Sequence, residues 1–250
     1  MTKPIVFDIE TSPIVADVWG MWDQNVGLNQ IRRDWRILSI SWKVLGAKRV
    51  HYRDAFTPEA EKDMLTAFWQ VMNDTDVLIG QNIRKYDVRK LNARFIAERM
   101  PPYAPVRIVD TLAMAKRVGM FTSNKLEYLA RYATPTRKDA HRQFPGHSMW
   151  TEFEAGNPRA RAAMLAYNKD DVLATESLYL ALAPWDRTHL TVAKGAGCPR
   201  CGGSQRLTDQ VHTSASGARR HLLQCEECNG WSRGRLVGAR RTGPKPISAT

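Results

Sequence analysis

No cysteine precedes position 198, and no apolar run approaches the ~18 residues that a membrane-spanning helix needs. The first absence excludes a disulfide framework for most of the chain. The second excludes a helical anchor within it, and no membrane partner is expected. The opening Met-Thr-Lys-Pro-Ile-Val-Phe-Asp lacks the long apolar stretch of a signal peptide and runs directly into a strand pattern, so the expected location is cytoplasmic. Internal repeats are lacking too. Acids are in the minority, 25 Asp+Glu against 37 Lys+Arg, for a net charge of +12. Such a balance favours nucleic acid or another acidic partner, although charge alone fits a generally basic surface equally well. With 250 residues, 43% hydrophobic and 25% charged, there is enough chain for one good-sized globular domain and a small appendage.

All four cysteines fall in the last quarter, as Cys198-Pro-Arg-Cys201 and Cys225-Glu-Glu-Cys228. Two such knuckles on facing turns present four thiolates tetrahedrally, as a structural Zn²⁺ requires. Gly202-Gly203 and Asn229-Gly230 supply residues that tolerate the positive φ of these turns. Two disulfides suit a cytoplasmic chain poorly, and neither knuckle has the strand-to-helix context of a redox pair. A zinc ribbon over 198–237 is the expectation. Cations crowd into the same region: residues 191–250 carry ten Lys+Arg against three Asp+Glu.

Hydrophobic periodicity orders the rest. Residues 4–9 read as a buried strand, 37–44 as a second, and 49–52 as a third antiparallel to it. Between the first two lies a loop carrying Trp19, Trp22, Arg32, Arg33 and Trp35. Thr57 as cap and Pro58 at the first position predict a helix to about Met72, with Ala60, Met64, Leu65, Phe68 and Val71 on one face. Short strands follow at 77–80 and 106–110. Helices are expected at 88–98 (Leu91, Phe95 and Ile96 inward), 111–118, 124–132 and 158–183. Residues 134–156 read as a loop holding Arg137, Lys138, His141, Arg142 and His147. The expected architecture is α/β: a mixed sheet flanked by helices over 1–186, a linker at 187–197, the ribbon, and a disordered basic tail at 238–250.

Asp8 and Glu10 end the first strand two residues apart, so they project from one face. Asp87 begins a helix after a strand. Tyr167 and Asp171 stand four apart within the last long helix and share a face. Any one of these patterns is unremarkable alone; their conjunction points to a metal centre. Carboxylates cost several kcal/mol each to gather unless a cation neutralises them, and an all-oxygen set suits Mg²⁺ or Mn²⁺. If Asp8, Glu10, Asp87 and Asp171 meet, two such ions about 4 Å apart could generate a hydroxide and stabilise a leaving 3′ oxygen, with Tyr167 orienting the attacking water.

Phe7-Asp8-Ile9-Glu10-Thr11, Asn82-Ile-Arg-Lys-Tyr-Asp87 with Leu91 and Arg94, and Tyr167-Asn-Lys-Asp-Asp171-Val172 resemble the three motifs of the DEDD superfamily of 3′–5′ exonucleases. The match is to the tyrosine-containing branch, since the histidine branch needs His where this chain has Ala166. Trp22-Asp-Gln-Asn-Val, Asp110-Thr-Leu and Asn124-Lys-Leu-Glu-Tyr-Leu-Ala, with the ribbon, look like a bacteriophage-encoded DnaQ-like subgroup. A phage origin would put the protein in the host cytoplasm. The resemblance covers about residues 4–185 and implies an RNase H-like fold. It makes Asp8, Glu10, Asp87 and Asp171 the metal ligands, Tyr167 the water-orienting group, and Asn82 an outer-sphere or substrate contact. Asp110 would support the site by hydrogen bonds or only cap its helix. Tyr86 stands where the family commonly has Phe, and Arg84 and Lys85 lie on phosphate or on a solvated turn.

Trp19 and Trp22, interleaved with Arg32, Arg33 and Arg36, suit a single strand, rings stacking on bases and guanidinium groups pairing with phosphate. For Trp35 core packing is the stronger reading. The expected function is metal-dependent 3′–5′ exonuclease activity, DNA favoured over RNA, with the ribbon aiding binding. Structure-specific endonuclease cleavage and a non-catalytic nucleic-acid-binding module are the rivals, and a replication or repair protein is a candidate partner.

Overall fold

The computed structural model describes residues 4–133, 143–186, 197–198, 203–214 and 217–237. The expected linker, apart from Gly197, and the whole basic tail lie outside the described residues. The chain divides into two compact units, Met1–Leu182 and Ala183–Thr250.

In the first unit, β1 (Ile5–Thr11), β4 (Ile37–Val44), β5 (His51–Asp54), β6 (Val77–Gly80) and β7 (Arg107–Asp110) form one sheet in the order β5-β4-β1-β6-β7. β1 pairs antiparallel with β4 and parallel with β6; β5 is antiparallel to β4, and β7 parallel to β6. The mixed α/β sheet expected from sequence is therefore present. β1 is central, and its alternation sorts the two faces. Ile5, Phe7 and Ile9, with Ile40 of β4, pack against α1 (Ala60–Asn73) and α2 (Asp87–Ala97), and Phe7 meets Phe68 at 5.0 Å between ring centroids.

The other face is unlike it. Asp8 stands opposite Ser41 and Glu10 opposite Ser39. These small side chains leave room for α6 (Pro158–Leu182), which buries Ala160, Met164, Asn168, Asp171, Thr175 and Tyr179 at helical spacing. A register shift between Glu10 and Thr11 bends the strand where the acids emerge. Lys43 pairs with Glu176 beneath this layer, and Glu176 also accepts Gly46 N–H at 2.7 Å, fixing α6 on β4.

Several expectations need correction. α1 begins at Ala60, not at Pro58; the Thr57 and Pro58 carbonyls accept from Ala60 and Glu61, and no side chain caps it. Its buried face adds Met72 and Glu61, and Val71 is partly buried against the same core. The Glu61 carboxylate receives Ile37 N–H at 2.9 Å and both ends of the Arg94 fork at 2.9 and 2.7 Å. Ile96 is exposed on α2, because the inward stripe is Val88, Leu91 and Phe95. After α3 (Thr111–Val118), residues 124–132 hold only α4 (Leu126–Leu129) and a 3-10 turn over Ala130–Tyr132. The stretch read as a loop contains α5 (Ser148–Glu154), which buries Met149 and Phe153 one turn apart. Arg137, Lys138, His141 and Arg142 lie outside the described residues.

The loop after β1 is also more regular than expected. β2 (Val15–Ala16) and β3 (Ile31–Arg33) make a two-stranded arm, while the intervening residues expose Trp19, Met21, Trp22 and Leu28 almost fully. The second unit holds β8 (Gln205–Thr213), β9 (Arg219–Cys225) and β10 (Trp231–Leu236), antiparallel in the order β10-β9-β8.

Candidate active site

Asp8 and Glu10 reach across from β1 to Asp171 on α6. One carboxylate oxygen from each lies within 4.8 Å of the other two, a set that could hold a metal ion. Asp87 is outside that triplet but beside it. As the first residue of α2 it accepts Ile9 N–H at 3.3 Å, from the peptide between the two β1 acids. Burial, then the nearby Asp8 carboxylate and Asp110, hold its carboxyl well above the usual range. Repulsion of this kind is relieved by a cation, so the donor set fits a hard divalent ion.

The approach to Asp87 is built with care. Gly80 ends β6, and a Cβ there would meet Ile83 Cδ1 at 2.7 Å, so the chain can turn only around a bare Cα. Asn82 then takes φ +57, a left-handed conformation that Asn tolerates. Asp110 holds the turn: its carboxylate accepts the N–H groups of Asn82 and Arg84 at 3.1 and 3.3 Å, and also caps α3 through Leu112 and Ala113. Both roles foreseen for Asp110 thus occur together. Arg84 donates to the Ile108 carbonyl, Lys85 is exposed, and the Tyr86 hydroxyl meets Thr11 Oγ1 at 2.9 Å.

Two contacts escaped the sequence reading. Asn168, fully buried, donates from Nδ2 to Asp8 Oδ2 at 2.6 Å and accepts from Ser39 on Oδ1. Its signal was present, since it stands three residues before Asp171 on the same helical face. Trp150 on α5 donates Nε1–H to Glu10 Oε2 at 2.8 Å. Nothing local announces that bond; it spans 140 residues of sequence. The Trp150 ring also stands edge-on to Tyr167 at 5.9 Å, and the His147 ring lies 6.5 Å from it. Burial first, then the Glu10 and Asp8 charges, raises Tyr167 far above an ordinary tyrosine, so the phenol keeps its proton and cannot act as a base near neutrality.

The arm residues are arranged differently from expectation. Trp22 is 80% exposed and Trp19 98%. Arg32 is bonded to Asp17 at 2.6 Å, and Arg33 to Glu154 at 2.6 Å. Arg36, almost buried, also grips Glu154 and the Ala55 carbonyl. Trp35 packs against the core with Lys90 Nζ 3.5 Å over its ring.

In the second unit Cys198, Cys225 and Cys228 converge and could hold a metal ion; Cys201 lies outside the described residues. Sγ of Cys198 and Cys228 are 3.7 Å apart, far beyond a disulfide bond. Four sulfurs about 2.3 Å from one tetrahedral centre would be spaced about 3.8 Å. Cys225 Sγ accepts the N–H groups of Glu227 and Cys228, both at 3.4 Å, which favours thiolate.

A central strand offering two carboxylates to a long helix that supplies a third beside a half-buried tyrosine defines a nuclease-type α/β protein with an acidic centre that could hold a cation. The chain belongs to the RNase H superfamily, whose family model matches residues 27–183. That span includes Asp87, Tyr167 and Asp171 and begins after Asp8 and Glu10. Membership supports hydrolysis of nucleic acid, and nucleases of this fold use divalent metal ions. Among solved structures the chain is similar to the family B DNA polymerase of the hyperthermophilic archaeon Pyrobaculum calidifontis, at TM-score 0.54 and 16% identity. The match takes in 74% of this chain and 26% of the polymerase, a likeness of fold. No curated protein matches the sequence. Among the described residues, no helix is long and apolar enough to cross a membrane.

Proposed function

We propose that the protein is a metal-dependent 3′–5′ exonuclease of the DEDD type, tyrosine branch, acting by preference on single-stranded DNA. The observation that carries this reading is the convergence of Asp8, Glu10 and Asp171 within 4.8 Å, with Asp87 and Tyr167 against them. Asp8, Glu10, Asp87 and Asp171 would hold two Mg²⁺ or Mn²⁺ ions. Bound there, the ions supply Lewis-acid activation of water and charge neutralisation at the leaving oxygen.

The remaining work falls to the chain. Asn168 fixes one Asp8 oxygen and Trp150 one Glu10 oxygen, so both carboxylates are aimed before substrate arrives. Tyr167, kept protonated, orients the attacking water by hydrogen bonding. Asp110 holds the turn that presents Asp87, leaving the Asn82 side chain at the rim for the terminal nucleotide. Trp22 and Trp19 offer stacking surface to unpaired bases. Arg32 and Arg33 reach phosphate only by leaving Asp17 and Glu154, so the arm contributes rings more than charge.

The cysteine cluster with Cys201 is read as a structural Zn²⁺ site that organises a ribbon aiding substrate binding, distinct from the nuclease domain at 1–186. A bacteriophage source, activity in the host cytoplasm and a replication or repair partner complete the reading. The test is digestion of end-labelled single-stranded DNA and RNA with Mg²⁺ or Mn²⁺, beside circular single-stranded DNA, an EDTA control and Asp8→Ala. Mononucleotides should leave the 3′ end of linear DNA, and Asp8→Ala should abolish their release. Cutting of the circle would replace the exonuclease by an endonuclease, and hydrolysis surviving in Asp8→Ala would remove the assigned site.

A further inference from the structure

The strand register of the second unit sorts its charges in a way that composition does not reveal. Pairing of Arg206 with Gln224, Gln224 with Trp231, Leu222 with Arg233, and His212 with Arg220 puts these side chains on one face of the three-stranded sheet. The irregularities in β8 and β10 preserve that assignment, because pairing resumes at His212 with Arg220 and at Leu236 with Arg220. Arg206 and Gln224 confirm the shared face directly, with a 2.6 Å hydrogen bond between their side chains. The opposite face carries Leu207, Leu223, Val211, His221 and Arg219.

Three arginines therefore share one face with a tryptophan on a patch about 10 by 13 Å, taking strand spacings of about 4.8 Å and rises of about 3.3 Å. Arg206, Arg220 and Arg233 are exposed, and Trp231 is 41% exposed. Among the described residues none of the three pairs with a carboxylate. The acids of this unit are Asp186, which is buried before the three strands, Asp209 in the β8 irregularity, and Glu226 and Glu227 at the cysteine knuckle. The contrast with the arm is direct, since Arg32 and Arg33 have their charge matched while these do not.

We propose that this face is a binding site for single-stranded nucleic acid, in which Arg206, Arg220 and Arg233 contact phosphates and Trp231 stacks on a base. It rests on the reading of the chain as a nucleic-acid enzyme and adds where, outside the catalytic centre, the strand is held. Charge complementarity selects the occupant: Arg206 bonds the Gln224 side chain and Arg220 the Gly234 carbonyl, both neutral, so three guanidinium charges without a carboxylate share one face with a tryptophan, and a polyphosphate strand uses all four groups.

The test uses the full chain with Asp8→Ala to prevent cleavage, titrated against fluorescein-labelled oligodeoxythymidylate by anisotropy over a range of KCl. Replacing Arg206, Arg220 and Arg233 together by Ala should reduce the log–log salt slope by about 2, at about 0.7 per lost phosphate contact. Trp231→Ala should weaken binding by about 5- to 150-fold, the span of one base–aromatic stack, and Trp231→Phe should restore most of it. The triple Lys variant should keep the slope, and Arg219→Ala should change nothing. An unchanged slope in the triple Ala variant overturns the proposal, and so does an equal loss in the triple Lys variant, which would mark a folding defect or a protein-docking role. Cleavage by the chain with intact Asp8 is scored separately. Active enzyme with an unaltered slope removes only this face; a reduced slope without any cleavage removes only the exonuclease.

Discussion

Trp150→Phe isolates one hydrogen bond at the acidic centre. The substitution keeps an aromatic ring edge-on to Tyr167 and removes the indole N–H that Glu10 Oε2 accepts at 2.8 Å. A hydrogen bond to a charged group contributes about 1.5–3 kcal/mol. If that energy serves to aim Glu10, its loss appears in the barrier and lowers kcat/KM by roughly 10- to 150-fold. The substrate does not touch Trp150 in this scheme, so oligonucleotide affinity should be unchanged. Single-turnover digestion of end-labelled single-stranded DNA gives the rate, and calorimetric titration with Mn²⁺ reports the carboxylates without any turnover. Both should worsen together in Trp150→Phe. Trp150→Ala should be worse still, since it also removes the ring that packs on Tyr167. A Trp150→Phe enzyme within about twofold of the parent, equivalent to about 0.4 kcal/mol, with unaltered Mn²⁺ affinity would refute the argument.

Tyr167→Phe should lower kcat by about 10- to 150-fold, the loss of one hydrogen bond to a charged group, while KM and Mn²⁺ affinity hold; a matching fall in metal affinity would make Tyr167 part of the ligand framework instead. Glu61→Ala should cost about 3–5 kcal/mol of unfolding free energy in urea, because it strands Arg94 and the Ile37 N–H inside the protein. A loss under about 1 kcal/mol would show that water replaces the carboxylate there.

The parts of the fold that were legible in sequence are those ruled by one dominant local signal. The apolar run Ile37–Val44 became β4 at both ends, and Val77–Gly80 became β6. α5 was missed because seven residues supply only Met149 and Phe153 as a periodic pair, beneath a composition of Ser, Thr and Glu. Ile96 was misassigned because it lies next to Phe95, and one step around a helix turns a side chain by about 100°. At the site, acids carried by short motifs could be found from residue type and spacing alone. Trp150 could not, since its partner lies on the far side of the sequence and its own neighbourhood is unremarkable. Arg32 and Arg33 show another limit: the sequence does not reveal the acids that fold against them, Asp17 and Glu154.

Helix α5 makes contact in two directions. Trp150 holds Glu10, and Glu154, one turn later, holds Arg33 and Arg36 at the base of the arm. A single helical turn rises about 5.4 Å and does not stretch. The carboxylate and the foot of the tryptophan-bearing arm are consequently fastened to the same short rod, and neither can be displaced without dragging the other. A mutation that shifts the α5 backbone would therefore be felt in chemistry and in arm position at once, whereas one that removes only the Trp150 N–H leaves the arm in place.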